Sequence, residues 1–298
     1  MKPDVRIRRA LWSVVILLVL IAVAVAMRGT VRLVPVLMNG YSPPTAASNP
    51  VAAQFAALDD VFARHPVLTL IHILPGLLFV LLGPLQFSRT LRLRHLRWHR
   101  WSGRICLLFG LVIGVSALVM SFWMPSIGGL NQATASTLFA LFFLFALGKA
   151  FRHIRRREIA LHREWMIRAF SIGIAIATIR PIIVLLFLIS RPSGLTPYEF
   201  FGAGFWLGFV LHLMAAEAWI HWTQSQLRAD RLQLRYKSVP RGNRAASRRR
   251  LPRIDLRRRE RRRGVPEGHF SIGRHIPTAG GGAKESAYAE IRCGASRR

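Results

Sequence analysis

Two short stretches carry most of the chemistry this chain could do. The first is His99-Arg100-Trp101-Ser102-Gly103-Arg104; the second is His162-Arg163-Glu164-Trp165-Met166-Ile167-Arg168. Each sets a histidine beside arginines and a tryptophan where a long apolar run begins. Further titratable groups stand inside apolar runs: His72, Arg180, His212 and Glu217. A neutral imidazole is a good axial ligand for haem iron. A guanidinium recognises carboxylate or phosphate oxygens. A carboxylate beside histidines could add a metal site through Glu217 or Glu164, but Cys106 and Cys293 form no CxxC and no Cys–His zinc spacing, so no metal centre is expected. No GxSxG, HExxH or Walker loop occurs, which argues against a soluble hydrolase.

These residues must be positioned by helices in a membrane. The 298-residue chain is 52% hydrophobic yet has a net charge of +30. The two properties are segregated, because apolar blocks of about 20 residues, the length that crosses a hydrocarbon core, alternate with arginine clusters. A soluble core of this size would show amphipathic periodicity instead. The expected fold is all-α, a polytopic membrane helical bundle of about six transmembrane helices.

Lys2, Arg6, Arg8 and Arg9 precede the first apolar run, Ala10 to Met27. It reads as a first transmembrane helix within residues 1–27, or an uncleaved signal anchor. Ala22-Val23-Ala24 resembles a cleavage site, but the run is long for a signal peptide and has no polar end. Residues 28–65, rich in Pro and Ala, read as an extracytoplasmic loop. Residues 66–222 read as a five-helix membrane core, its helices near Pro66–Phe87, Ile105–Met124, Thr134–Phe151, Ala169–Ser190 and Phe201–Trp222. Arginines cluster at the N-terminus and after the second, fourth and sixth helices. Positive charge marks the cytoplasmic side, so both termini are expected there, in the cell (inner) membrane. Trp12, Trp98, Trp101, Trp165, Trp219 and Trp222 fall near that boundary, and Trp123 and Trp206 near the other, as an aromatic belt requires. Residues 223–298 hold 21 Lys and Arg against 6 Asp and Glu. They read as a basic, disordered cytoplasmic tail drawn to anionic lipid head groups. Nothing like a folded nucleic-acid module accompanies them, so no specific nucleic-acid partner is expected.

Helical rise gives depths. From the arginine-rich boundary, Glu217 lies roughly 8 Å in, His212 roughly 15 Å, Arg180 roughly 18 Å and His72 roughly 24 Å. His99 and His162 share a shallow depth, whereas His72 and His212 differ by about 9 Å, which sets them at odds as a ligand pair. The histidines sit on small-residue faces: His72 with Gly76 and Gly83, His99 with Gly103 and Gly110, and His212 with Gly204 and Gly208. On the fifth helix His162 shares a stripe with Gly173, Ala177 and Arg180. Such faces serve close helix packing, or they admit a flat cofactor. Pro75 and Pro181 free the carbonyls of Ile71 and Ala177 beside His72 and Arg180. Glu217 is expected to pair with Arg104 or Arg168.

Taken together, His72, Gly83-Pro84-Leu85-Gln86-Phe87, the two histidine–arginine stretches, Arg180 and Glu217 resemble a bacterial predicted-membrane-protein family, domain-of-unknown-function family 2306, over about residues 66–222. The resemblance implies the helical membrane fold and assigns no activity. Its plan is more distantly similar to small haem-binding four-helix membrane cytochromes. Three functions therefore stand open. One is a polar intramembrane site for a small ligand, lipid or quinone. Another is a haem-b redox protein using His72, His99, His162 or His212. The third is a small-anion transporter using Arg180.

Overall fold

A computed structural model of the protein describes residues 3–43, 56, 59–190 and 197–238. Met1–Arg235 form one compact unit; residues 236–298 form a second, which apart from the end of the last helix lies outside the described residues. Of the expected disordered tail, residues 223–298, the part up to Ser238 is helix and the rest lies outside the described residues.

Helices follow one another along the described residues: α1 Pro3–Asn39, α2 Pro66–Phe87, α3 Arg89–Arg94, α4 Leu96–Trp123, α5 Gly129–Arg155, α6 Ile159–Ile174, α7 Ile176–Ser190 and α8 Pro197–Ser238, with residues 59–63 also helical. No strand occurs among the described residues. Five of these helices are long and apolar enough to cross a membrane; α6 and α7, bent by 41°, meet that test as a pair, which makes six spans where the pair is counted as one. The apolar side chains of Leu17, Leu20, Leu185 and Leu188 are exposed on the outside of the bundle, the arrangement a hydrocarbon solvent allows.

α2 packs on α4, α4 on α5 and α5 on α6, while α1 lies along α2 and reaches α7. The core is aromatic. Phe79 meets Phe143 edge-on at 5.5 Å, and Phe170 stands 6.2 Å from Phe79 and 5.7 Å from Phe87. α8 docks on α5 by stacking Phe209 on Phe139 at 4.6 Å. The small residues make these approaches possible. A Cβ at Gly83 would stand 2.1 Å from the Phe170 ring, one at Gly173 2.7 Å from Phe79, and one at Gly208 2.3 Å from Ile179. The space beside these glycines is filled by side chains of neighbouring helices, so of the two sequence readings they serve packing.

Several helix limits differ from the sequence reading. α1 continues twelve residues past Met27, carrying Arg28 and Arg32 with it, and stops before Gly40, whose φ of +87° an L-residue rarely adopts. Residues 28–39, expected as loop, are therefore helix. The basic stretch after α2 is the short α3 followed directly by α4, so His99 lies in the first turn of α4 rather than in a loop. The fifth span begins at Ile159, not Ala169, which puts His162 inside a helix. It breaks at Ala175, six residues before Pro181. The last helix runs on through Gln224 to Ser238. Charged residues mark where the hydrocarbon ends, not where a helix must end, and hydropathy reads only the former.

Candidate functional site

Polar side chains inside the bundle form three tiers. At the arginine-rich end, Arg168 clamps Glu217 in a two-pronged pair, Nε to Oε1 at 2.5 Å and a terminal nitrogen to Oε2 at 3.0 Å. The same guanidinium lies 4.7 Å from the Trp165 ring centre, a cation–π contact. One turn further along, the Gln224 amide donates to Glu164 at 2.7 Å. His162 donates from Nδ1 to the Ala150 carbonyl at 2.9 Å, and its Nε2 has no hydrogen-bond partner among the described residues. His99 has a buried Nδ1 with no partner among the described residues, and its ring lies within charge reach of His162, Arg92 and Arg100. Gln86 donates to Ser102 at 2.8 Å, tying α2 to α4. In the turn between α5 and α6, Arg157 takes a positive φ of 63° and His153 bonds Glu158. That bond holds the Glu158 carboxyl below its ordinary range.

In the middle tier each imidazole is matched to one hydroxyl. His72 Nδ1 lies 2.9 Å from Ser116 Oγ, and that hydroxyl donates to the Ile113 carbonyl at 3.0 Å. With its hydrogen spent there, Ser116 accepts from the ring. His212 Nε2 lies 2.7 Å from Thr178 Oγ1. His72 and His212 are thus engaged with separate partners on separate helices.

At the far end, Asp59 accepts from both guanidinium nitrogens of Arg28, at 3.1 and 2.7 Å, and also from Arg32. Asp60 is bonded by Tyr41 and by Arg64 Nε at 2.9 Å. Those donors, Tyr41 first, hold the Asp60 carboxyl below the usual range, and the same bond pushes the Tyr41 phenol up. Arg180, half-buried on α7, lies within charge reach of Asp59 and Arg28. Its Nε is buried and has no hydrogen-bond partner among the described residues. Arg28 and Arg32 of α1 therefore share one carboxylate, and Arg180 of α7 lies within its electrostatic reach. Apart from these tiers, two apolar grooves of about 490 and 370 Å3 on the outer flank of α2 and α4 share Leu68, Ile71 and Val119, and Ser116 lines the second.

A family profile described as Predicted membrane protein (DUF2306) matches residues 69–220, half of the chain. The chain belongs to this family. It is a multi-pass helical membrane protein. No curated protein and no solved structure matches it. The DUF2306 region holds His72, His99, His162, Arg168, Arg180, His212 and Glu217, whereas Arg28, Arg32, Asp59 and Gln224 lie outside it.

The geometry brings together some of the residues singled out from sequence. Glu217 finds Arg168, one of the two partners expected. His99 and His162 lie within electrostatic reach of each other, as does Arg180 of the Arg28–Asp59 pair. No group of three or more His, Cys, Asp or Glu side chains that could hold a metal ion occurs among the described residues. Sequence reasoning missed Ser116, Thr178 and Gln224, and it named Gln86 without a partner. Each is a lone polar residue in or just beyond an apolar run, and that was the available signal: in hydrocarbon a hydroxyl or amide seeks a partner on a neighbouring helix.

Proposed function

We propose that the protein is a multi-pass protein of the cell inner membrane, with its arginine-rich ends and both termini cytoplasmic, and that it binds a small amphipathic ligand of the lipid or quinone class at Arg180. One observation carries this reading: the buried Nε of Arg180, which has no hydrogen-bond partner among the described residues. A guanidinium at membrane depth is costly and is retained where it meets a partner. A guanidinium N–H asks for an oxygen-bearing, electron-rich acceptor, such as a head-group or quinone oxygen. The residues that would hold it are Arg180, Arg28 and Arg32, with His212 and Thr178 one tier deeper; Glu217 and Arg168 brace α8 against α6 below. The basic tail adds attraction to anionic lipid head groups.

The test is native mass spectrometry of wild type and Arg180→Gln released from the same membranes. A low-mass species retained by wild type and lost from the variant is the expected result. The same bound species in both overturns the reading. If the ligand is a small anion in transit, uptake by the wild type disappears in Arg180→Ala; equal uptake removes transport.

A second reading, haem b, is favoured by one contact. The Nδ1–H of His162 held by the Ala150 carbonyl is the arrangement that fixes a ligating imidazole and frees Nε2 for iron, and His99 is near. A Soret band that shifts on reduction and disappears in His162→Ala supports it. A colourless preparation from haem-replete cells removes it.

A further inference from the structure

Lys149 is the one charged residue of α5 between Gly129 and Phe151, and no other lysine occurs between residues 3 and 236. Its ammonium lies 5.6 Å from the centre of the Trp165 ring and 5.9 Å from that of Phe145. The two rings meet edge-on, centres 5.5 Å apart and planes at 86°, so Phe145 of α5 and Trp165 of α6 form a corner with the cation against both walls. Arg168 lies against the same indole, but Glu217 meets its charge through two hydrogen bonds. Glu164, next to Trp165 in the chain, accepts from Gln224. The Lys149 ammonium makes no hydrogen bond and no salt bridge among the described residues. Ring faces attract a cation, but they give its three N–H groups no oxygen to bond.

The corner is open toward the outside of the bundle. Gly148 is exposed, and a Cβ there would meet nothing within 4 Å. Phe145, Leu141 and Leu138 lead away from Lys149 as a stripe at helical spacing, each exposed by half or slightly more. Lys149 stands three residues, roughly 5 Å, inward of Arg152, where the basic end of α5 begins. This is the level at which an ammonium on an apolar stem meets phosphates while the hydrocarbon begins beside it. We propose that Lys149, in the corner of Phe145 and Trp165, binds the phosphate of an anionic phospholipid in the leaflet at the arginine-rich end. The apolar stripe selects a lipid over a free phosphate ion, because an acyl chain lies along it when the head group reaches the ammonium. This site is separate from Arg180, which lies toward the other end of the bundle.

The test titrates phosphatidylglycerol into the detergent-solubilised full-length protein and reads the first bound lipid by native mass spectrometry. Lys149→Gln should bind it about tenfold more weakly than wild type. Lys149→Arg, which keeps a cation against the rings, should stay near wild type. Arg155→Gln removes the same unit charge from the exposed end of α5 and should change nothing. The basic tail is present in all four proteins, so its attraction to the lipid is common to them. Equal affinities in wild type and Lys149→Gln overturn the proposal. An equal loss in Arg155→Gln also overturns it, since net charge would then be the cause. Inorganic phosphate added as a competitor should leave the lipid bound; displacement assigns the site to the free ion and overturns the lipid. Phosphatidylcholine bound as tightly, with the same dependence on Lys149, removes the need for an anionic head group and overturns it too. Melting without lipid checks that Lys149→Gln is folded; if it melts below wild type, Lys149→Met, which keeps the apolar stem, is titrated in its place.

Discussion

At the scale of single residues, Gly83 shows how little freedom the interior has. The Phe170 ring occupies the place of a side chain at Gly83, and the ring is itself held between Phe79 and Phe87. Gly83→Ala should therefore destabilise the protein by about 1–3 kcal/mol, the usual cost of overpacking a close-packed core. Thermal melting checks this, and adding Phe170→Leu to the same background should restore most of the loss. The far end offers a pH test. Native Asp60 has a lowered pKa, so the tie of its carboxylate to Tyr41 and Arg64 contributes its full stability above the ordinary aspartate range, about 4. The contribution is lost as pH falls from there through the lower native value. Asp60→Asn should flatten this acid limb of the melting curve, and an unchanged limb would assign it to other carboxylates. Asp60, Tyr41 and Arg64 were not singled out in the sequence as a cluster. Their positions along the chain carry no signal, since a loop and a helix end bring them together.

At the scale of elements, the bent span α6–α7 places the site. His162, Arg168 and Arg180 were expected on one straight helix, with His162 and Arg180 about five turns apart on a single stripe. The break at Ala175 divides that stripe. α6 carries His162 and Arg168 toward Ala150 and Glu217, and α7 carries Thr178 and Arg180 toward His212 and the end of α1. Proline at 181 removes the N–H that would bond Ala177, and its ring crowds that carbonyl. Pro181→Ala should reduce the 41° bend. Spin labels on Leu161→Cys and Ile189→Cys would then move apart; an unchanged distance would place the cause in the packing of Gly173 against Phe79. The proline was visible in the sequence. The direction of the bend was not, because it depends on which neighbouring helices take the two halves.

At the scale of the whole molecule, the helix ends sort into two sets. Arg8, Arg92, His99 and Arg163 lie toward one end, and Arg28, Asp59 and Arg180 toward the other. This is the alternation that an up-and-down membrane bundle requires. In the proposed orientation, arginine-rich end inward, an Arg157→Cys thiol in the α5–α6 turn should react with an impermeant maleimide only after cells are opened. A Ser126→Cys thiol in the α4–α5 turn should react in intact cells. The reverse pattern would invert the topology while leaving the fold untouched.

The number of spans, the helical class and the side on which arginines gather follow from the chain alone, because hydrocarbon thickness and charge desolvation act on each segment independently of its neighbours. Which polar groups become partners was decided by the tertiary structure. The pairs Arg168–Glu217, His72–Ser116 and His212–Thr178 each join residues 34 to 49 positions apart. Their meeting depends on how Phe170, Phe79 and Ile179 seat against glycines on other helices and on where α6 gives way to α7, which are properties of the packed bundle rather than of any one segment.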